Sequence, residues 1–266
     1  MFVEESIQRI PGLTRSYTFY HFTDSHMCYA APDDTPENKA RYEHVKNHYA
    51  GSGDDVLNSF NELFSYVNES DGDFLLLTGD IMEGYNEPSA KYLKKCMEES
   101  TKEVLYIPGN HEVRNFVYTD LMKELAHGNP AYWVKELGDL LVVGIDDNNR
   151  ELNEEQVEFL KAPMGRGIPI ILVMHIPIYS EASDIPLRIR WGGDGHDLFS
   201  LGLENTSAEM MKIVKMIKQP ENNIAAIFAG HAHFSHAGEF APGGGIQYIS
   251  SPGFDKYLRK VTFIPL

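Results

Sequence analysis

Short apolar runs alternate along the chain with stretches whose apolar positions recur at helical spacing. Tyr17–Phe22 is rich in aromatic residues and gives way to Thr23, Asp24, Ser25 and His26, so it reads as a strand feeding a polar loop. Across 56–67 the residues Val56, Phe60, Leu63, Phe64 and Val67 mark a helix. Residues 74–77 form a buried-strand run closed by Thr78, Gly79 and Asp80. The spacing predicts a second helix over 88–96, with Pro88 in its first turn where a missing N–H costs little, and a strand over 104–107 stopped by Pro108 and Gly109. This succession predicts right-handed βαβ units and a parallel sheet.

The second half repeats the alternation less regularly. Strands are expected at 140–145 and 168–174, with a helix over 153–160 between them that Asn153 and Gln156 would cap reciprocally. Residues 207–218 carry an amphipathic helical pattern, and Ile224–Ala229 reads as a strand. Two further runs, Ile246–Ile249 and 257–263, are expected to pair as a hairpin. Residues 179–205 show no pattern and read as a long loop, of the kind that is usually functional or mobile. It holds Arg188, Arg190, Trp191 and His196, all candidate substrate contacts.

Composition narrows the class. With 266 residues and 42% hydrophobic content, the chain fits a globular protein and excludes fibrous or disordered ones. Its net charge of −16 repels polyphosphate backbones and argues against a nucleic-acid partner. The apolar runs fall far short of the ~20 residues of a membrane span. Acidic residues stand in the N-terminal stretch where a secretory leader would have basic ones, so the expected setting is the cytoplasm. Cys28 and Cys96 have no metal-type spacing and are expected to have no chemical role.

The candidate chemistry falls at the strand ends. Asp24 and His26 follow the first strand, and Gly79-Asp80 follows the second. Gly109-Asn110-His111-Glu112 follows the third, His175 follows the run ending at Met174, and Gly230-His231-Ala232-His233 follows Ile224–Ala229. Ligands of open α/β sheets bind just beyond the carboxyl ends of the strands. Carboxylates, an amide oxygen and imidazoles without a thiolate suit Mn, Fe, Zn or Co rather than Ca. Asp24, His26, Asp80, Asn110, His175, His231 and His233 are too many donors for one tetrahedral ion. They suffice for two ions if one carboxylate bridges, which is the clamp for in-line displacement at phosphorus. His21 is expected to be a packed or hydrogen-bonded histidine, and His44, His48 and His127 to lie at the surface. Glu112 is a candidate partner for a ligand imidazole.

In order and strand context these motifs resemble those of the calcineurin-like metallophosphoesterases, over about residues 17–264. The resemblance implies an α/β fold, a two-sheet β-sandwich flanked by helices, forming a single metallophosphoesterase domain over 1–266. It implies two divalent or mixed-valence transition-metal ions (Mn, Fe or Zn). Asp24, His26 and His233 would hold one, Asn110, His175 and His231 the other, and Asp80 would bridge. His111 would be catalytic, facing the leaving-group oxygen rather than a metal, and Asn110 would also touch substrate.

Departures from the family pattern narrow the branch. No arginine follows Asp80 or precedes Asn110 as in the protein serine/threonine phosphatases. Glu83 stands where purple acid phosphatases have a metal-binding tyrosine. What remains resembles the bacterial branch that hydrolyses small phosphodiesters or phosphomonoesters, such as cyclic nucleotides and glycerophosphodiesters. A small-molecule phosphoester attacked by metal-activated water is therefore the expected substrate. The alternative is a catalytically weak scaffold of the same fold that binds protein partners, and the complete ligand set together with His111 weighs against it.

Overall fold

A computed structural model describes residues 1–49, 55–113, 115–193 and 196–266. Along the chain run β1 (Phe2–Ile10), β2 (Tyr17–Phe22), α1 (Pro36–His48), α2 (Val56–Glu69), β3 (Phe74–Thr78), α3 (Glu87–Glu98), β4 (Glu103–Ile107) and α4 (Asp120–Leu125). They are followed by β5 (Tyr132–Glu136), β6 (Leu141–Ile145), α5 (Glu154–Met164), β7 (Ile170–Val173), α6 (Glu181–Trp191), α7 (Ala208–Ile217), β8 (Ile224–Ala229), β9 (His236–Glu239), β10 (Ile246–Ile249) and β11 (Tyr257–Pro265).

The strands form two mixed sheets, ordered β1-β11-β2-β3-β4 and β5-β6-β7-β8-β10-β9. Within the first, β2, β3 and β4 are parallel and β11 runs antiparallel to β2. Within the second, β6, β7, β8 and β10 are parallel. Period-two alternation explains how the sheets stack. Phe19, Phe74 and Leu76 point from the first sheet toward Ile171, Val173 and Phe228 of the second, forming one shared core. The Phe19 and Phe228 rings meet edge-on at 5.4 Å. The opposite faces are buried too. Tyr20, Phe22, Leu75 and Leu77 pack under Phe60, Leu63, Val67 and Leu93 of α2 and α3. Leu141, Leu172 and Ile227 pack under Leu160, Met210, Val214 and Ile217 of α5 and α7. Strands covered on both faces read as continuous apolar runs, which is why they are visible in the sequence.

Two expectations are corrected. The C-terminal runs do not form a hairpin: β10 lies between β8 and β9 in the second sheet, whereas β11 lies between β1 and β2 in the first. Strand β11 pairs along all nine of its residues with β1, a ladder longer than the four-residue β10 could offer. Nor is 179–205 a patternless loop, because it contains α6 and a 3-10 turn over His196–Phe199. Helix α6 buries only Ser183 and Leu187 and leaves Ile185 and Ile189 exposed, so it has no apolar stripe to read. Its start is set by a reciprocal cap between Ser180 and Ser183. The expected Asn153–Gln156 capping box is present at α5. No helix among the described residues is long and apolar enough to cross a membrane.

Candidate metal centre

The parallel strands of both sheets end side by side, and backbone hydrogen bonds carry the pairing onward into the loops. Asp24 N donates to Gly79 O, His26 N to Asp80 O, and Gly230 N to His175 O. The loops touch so closely that side chains are excluded at their glycines. A Cβ at Gly109 would collide with the amide and carboxylate of Asp80, and one at Gly230 with the Thr23 hydroxyl and the Asp24 carboxylate. Of eleven non-glycine residues with positive φ among the described residues, five are Asp24, His26, Asp80, His231 and His233. Left-handed backbone at non-glycine residues costs of order 1 kcal/mol or more each and persists where the surroundings impose it, commonly at functional sites.

Three groups of side chains converge closely enough to hold a metal ion, with ligand atoms all within 4.8 Å: Asp24, His26 and His233; His26, Asp80 and His111; Asp80, His175 and His231. His233 Nε2 lies 3.1 Å from Asp24 Oδ1, and His175 Nε2 lies 3.2 Å from Asp80 Oδ2. Asn110 Oδ1 joins the last group, 3.0 Å from His175 Nε2. Each carboxylate is aimed by an amide: His231 N donates to Asp24 and His111 N to Asp80. All seven sequence-derived ligand candidates therefore lie together.

The imidazoles are oriented from behind. His26 Nδ1 is 2.6 Å from Glu83 Oε2, His175 Nδ1 is 2.8 Å from the Thr78 carbonyl, and His231 Nε2 is 3.3 Å from the Leu198 carbonyl. An acceptor on one ring nitrogen places the hydrogen there and leaves the other nitrogen its lone pair. In His26 that other atom, Nε2, is buried without a hydrogen-bond partner among the described residues. Asp24 and Asp80 are buried as well, and buried carboxylates call for a cation. Burial lowers the His175 pKa, but Asp80 and Asp24 outweigh it and push it up to about 10. An orphaned ring nitrogen, two buried carboxylates and an N/O donor set fit borderline transition-metal ions.

Glu83 is a site residue whose role reading the chain alone missed. Its Oε2 also lies 2.8 Å from His111 Nδ1 and accepts from the Tyr49 hydroxyl at 3.0 Å. The bond to Glu83 raises the His111 pKa against the effect of burial. Its spacing, three residues after Asp80, was the available signal.

Glu112 does not hold a ligand imidazole. It is buried and accepts from the amides of Asp80, Met82 and Gly109, clamping two loops together, while burial and Asp80 push its pKa up to about 7. Asp147, at the end of β6, does the same for the amides of His175 and Ile176. His21 is buried between the Thr78 and Ser250 hydroxyls, and His44, His48 and His127 are exposed, as expected.

The loop candidates divide. Arg188 is exposed and paired with Asp184 at 2.9 Å. Arg190 Nε donates to the His233 carbonyl at 3.2 Å, and Trp191 Nε1 donates to the Ala232 carbonyl at 2.7 Å. Both brace the histidine loop. The side chain of His196 lies outside the described residues.

The family model described as calcineurin-like phosphoesterase matches residues 17–235. The chain belongs to that family. As a calcineurin-like phosphoesterase it is similar, at 26% identity over 224 residues, to a probable cyclic nucleotide phosphodiesterase of Vesicomyosocius okutanii, covering 83% of this chain and 87% of the relative. It is 24% identical over 205 residues to a 3′,5′-cyclic adenosine monophosphate phosphodiesterase, CpdA, of Haemophilus influenzae, covering 73% of this chain and 66% of the relative. Purple acid phosphatase PPD1 of yellow lupin shares the fold with a TM-score of 0.51 at 12% identity, covering 92% of this phosphoesterase but only 45% of the lupin chain.

Proposed function

We propose that this phosphoesterase hydrolyses small phosphodiesters at a two-metal centre, with cyclic nucleotides the substrate class that its relatives suggest. The observation that carries the reading is the place of Asp80. It falls in one donor group with His26 and His111 and in another with His175 and His231, the position of a carboxylate shared between two sites. Asp24, His26 and His233 would hold one ion and Asn110, His175 and His231 the second, the ions being manganese, iron or zinc. When bound, such a pair supplies Lewis acidity at the phosphoryl oxygens and a water acidic enough to ionise near neutral pH.

The chain's own groups do the rest. The Asn110 side-chain NH2 would donate to a phosphoryl oxygen, its carbonyl oxygen being one of the donors that would hold the second ion. His111, held at Nδ1 by Glu83, turns Nε2 toward Asp80, 3.9 Å from Oδ2, where a leaving oxygen beside the ions would lie. Donating a proton there is worth ~10²–10⁴-fold in rate. The extent of the shared core supports treating 1–266 as one domain.

The test is a panel of bis-p-nitrophenyl phosphate, p-nitrophenyl phosphate, cyclic AMP and cyclic GMP, assayed with chelated protein and after Mn²⁺ addition. Metal-dependent turnover that favours the diesters is expected. Turnover indifferent to metal, or none on any ester, would refute the proposal.

A further inference from the structure

Arg150 follows β6 in left-handed backbone, at φ 59°, and its guanidinium is half-buried. The fork closes on four oxygens of one segment. Nη1 donates to Leu198 O at 2.7 Å, and Nη2 donates to Asp197 O at 2.9 Å, Ser200 O at 2.7 Å and Asn205 Oδ1 at 3.0 Å. Four acceptors of one segment shared between the two terminal nitrogens of a planar guanidinium form a fork that a single-point ammonium does not reproduce. Arg150 therefore fixes the 3-10 turn over His196–Phe199.

That turn meets the candidate metal centre at the Leu198 carbonyl and the Phe199 ring. The Leu198 carbonyl, which has two lone pairs, takes one hydrogen from Arg150 and a second from His231 Nε2 at 3.3 Å. A carbonyl only accepts, so its partner must be Nε2–H, and the lone pair of a neutral ring is then on Nδ1. The same segment grips the loop on either side of His231. Phe199 lies 5.3 Å from the His231 ring and stacks on Trp191 at 3.7 Å, and Trp191 donates to the Ala232 carbonyl.

We infer that Arg150 is a positioning residue for the second metal, acting through the Leu198 carbonyl to hold His231 in the Nε2–H tautomer with Nδ1 free to ligate. The inference rests on the two-metal reading above. Arg150 thus links the loop after β6, whose Asp147 already holds the His175 and Ile176 amides, to the His231–His233 loop as well.

The experiment compares wild type with Arg150→Met and Arg150→Lys by two measurements. The first is the His231 tautomer in chelated protein, from long-range ¹H–¹⁵N correlation of the imidazole. The second is calorimetric titration with Mn²⁺. Wild type should show the Nε2–H tautomer and bind two ions. R150M should show mixed tautomers, keep the ion of the Asp24, His26 and His233 group, and bind the other ~10–100-fold more weakly, as loss of an outer partner typically does. R150K, which keeps the charge but spans fewer oxygens, should lose less, and it carries the test if R150M does not fold. Two ions bound with wild-type affinity and an unchanged tautomer in both variants would overturn the inference while leaving the two-metal reading intact. Wild type binding fewer than two ions would overturn that reading and this inference with it.

Discussion

Glu83 holds His111 through Nδ1 at 2.8 Å, and the same carboxylate oxygen takes Nδ1 of His26 at 2.6 Å. One side chain thus orients both the proposed proton donor and a proposed metal ligand. A neutral amide oxygen lacks the negative charge that favours two cationic or metal-bound rings on one acceptor. Glu83→Gln should lower kcat by ~10–100-fold with a smaller effect on KM, and should weaken one metal site. Steady-state kinetics at saturating Mn²⁺ checks this, and unchanged kcat would count against the shared role.

Hydrolysis of an unactivated ester expels an alkoxide that leaves poorly unless protonated. His111→Ala should therefore reduce kcat by ~10²–10⁴-fold on cyclic nucleotides and much less on bis-p-nitrophenyl phosphate, whose leaving group needs little help. The ratio of the two losses is the readout. Equal losses would show that His111 positions phosphate or metal instead.

Acid sensitivity should trace in part to His21. Burial, with Arg259 adding to it, lowers its pKa to about 3 from an ordinary 6.5. Below pH 6.5 the unfolded chain binds a proton that the folded chain refuses, so stability falls as pH falls, by about 1.4 kcal/mol per unit, down to the folded pKa. His21→Gln removes the contribution. Urea unfolding from pH 6.5 to about 4.5 should show wild type losing stability faster than the variant by roughly that slope. Parallel slopes would contradict the assignment.

How far the chain could be read follows from what folding adds. Strands β2, β3, β7 and β8 are covered on both faces, so their apolar runs stand out without any structure. Strand β1 alternates exposed and half-buried residues at a sheet edge, and α1 buries only Val45, so neither leaves a pattern to find. The ligand candidates were legible because aspartate, asparagine and histidine beside glycine at successive strand ends have few structural reasons to recur. The roles of Glu83, Glu112, Asp147 and Arg150 were not, because each depends on contact with an amide, a carbonyl or a second imidazole of another loop. A charged residue in a loop looks the same whether it meets water or braces a site.

The central claim is that Asp24, His26, Asp80, Asn110, His175, His231 and His233 together hold two metal ions. Native mass spectrometry of Mn²⁺-reconstituted protein measures this directly, by counting ions per chain for wild type, His233→Ala and His175→Ala. Two ions in wild type and one in each variant is the expected result. No retained ion in wild type, or two in both variants, would contradict it.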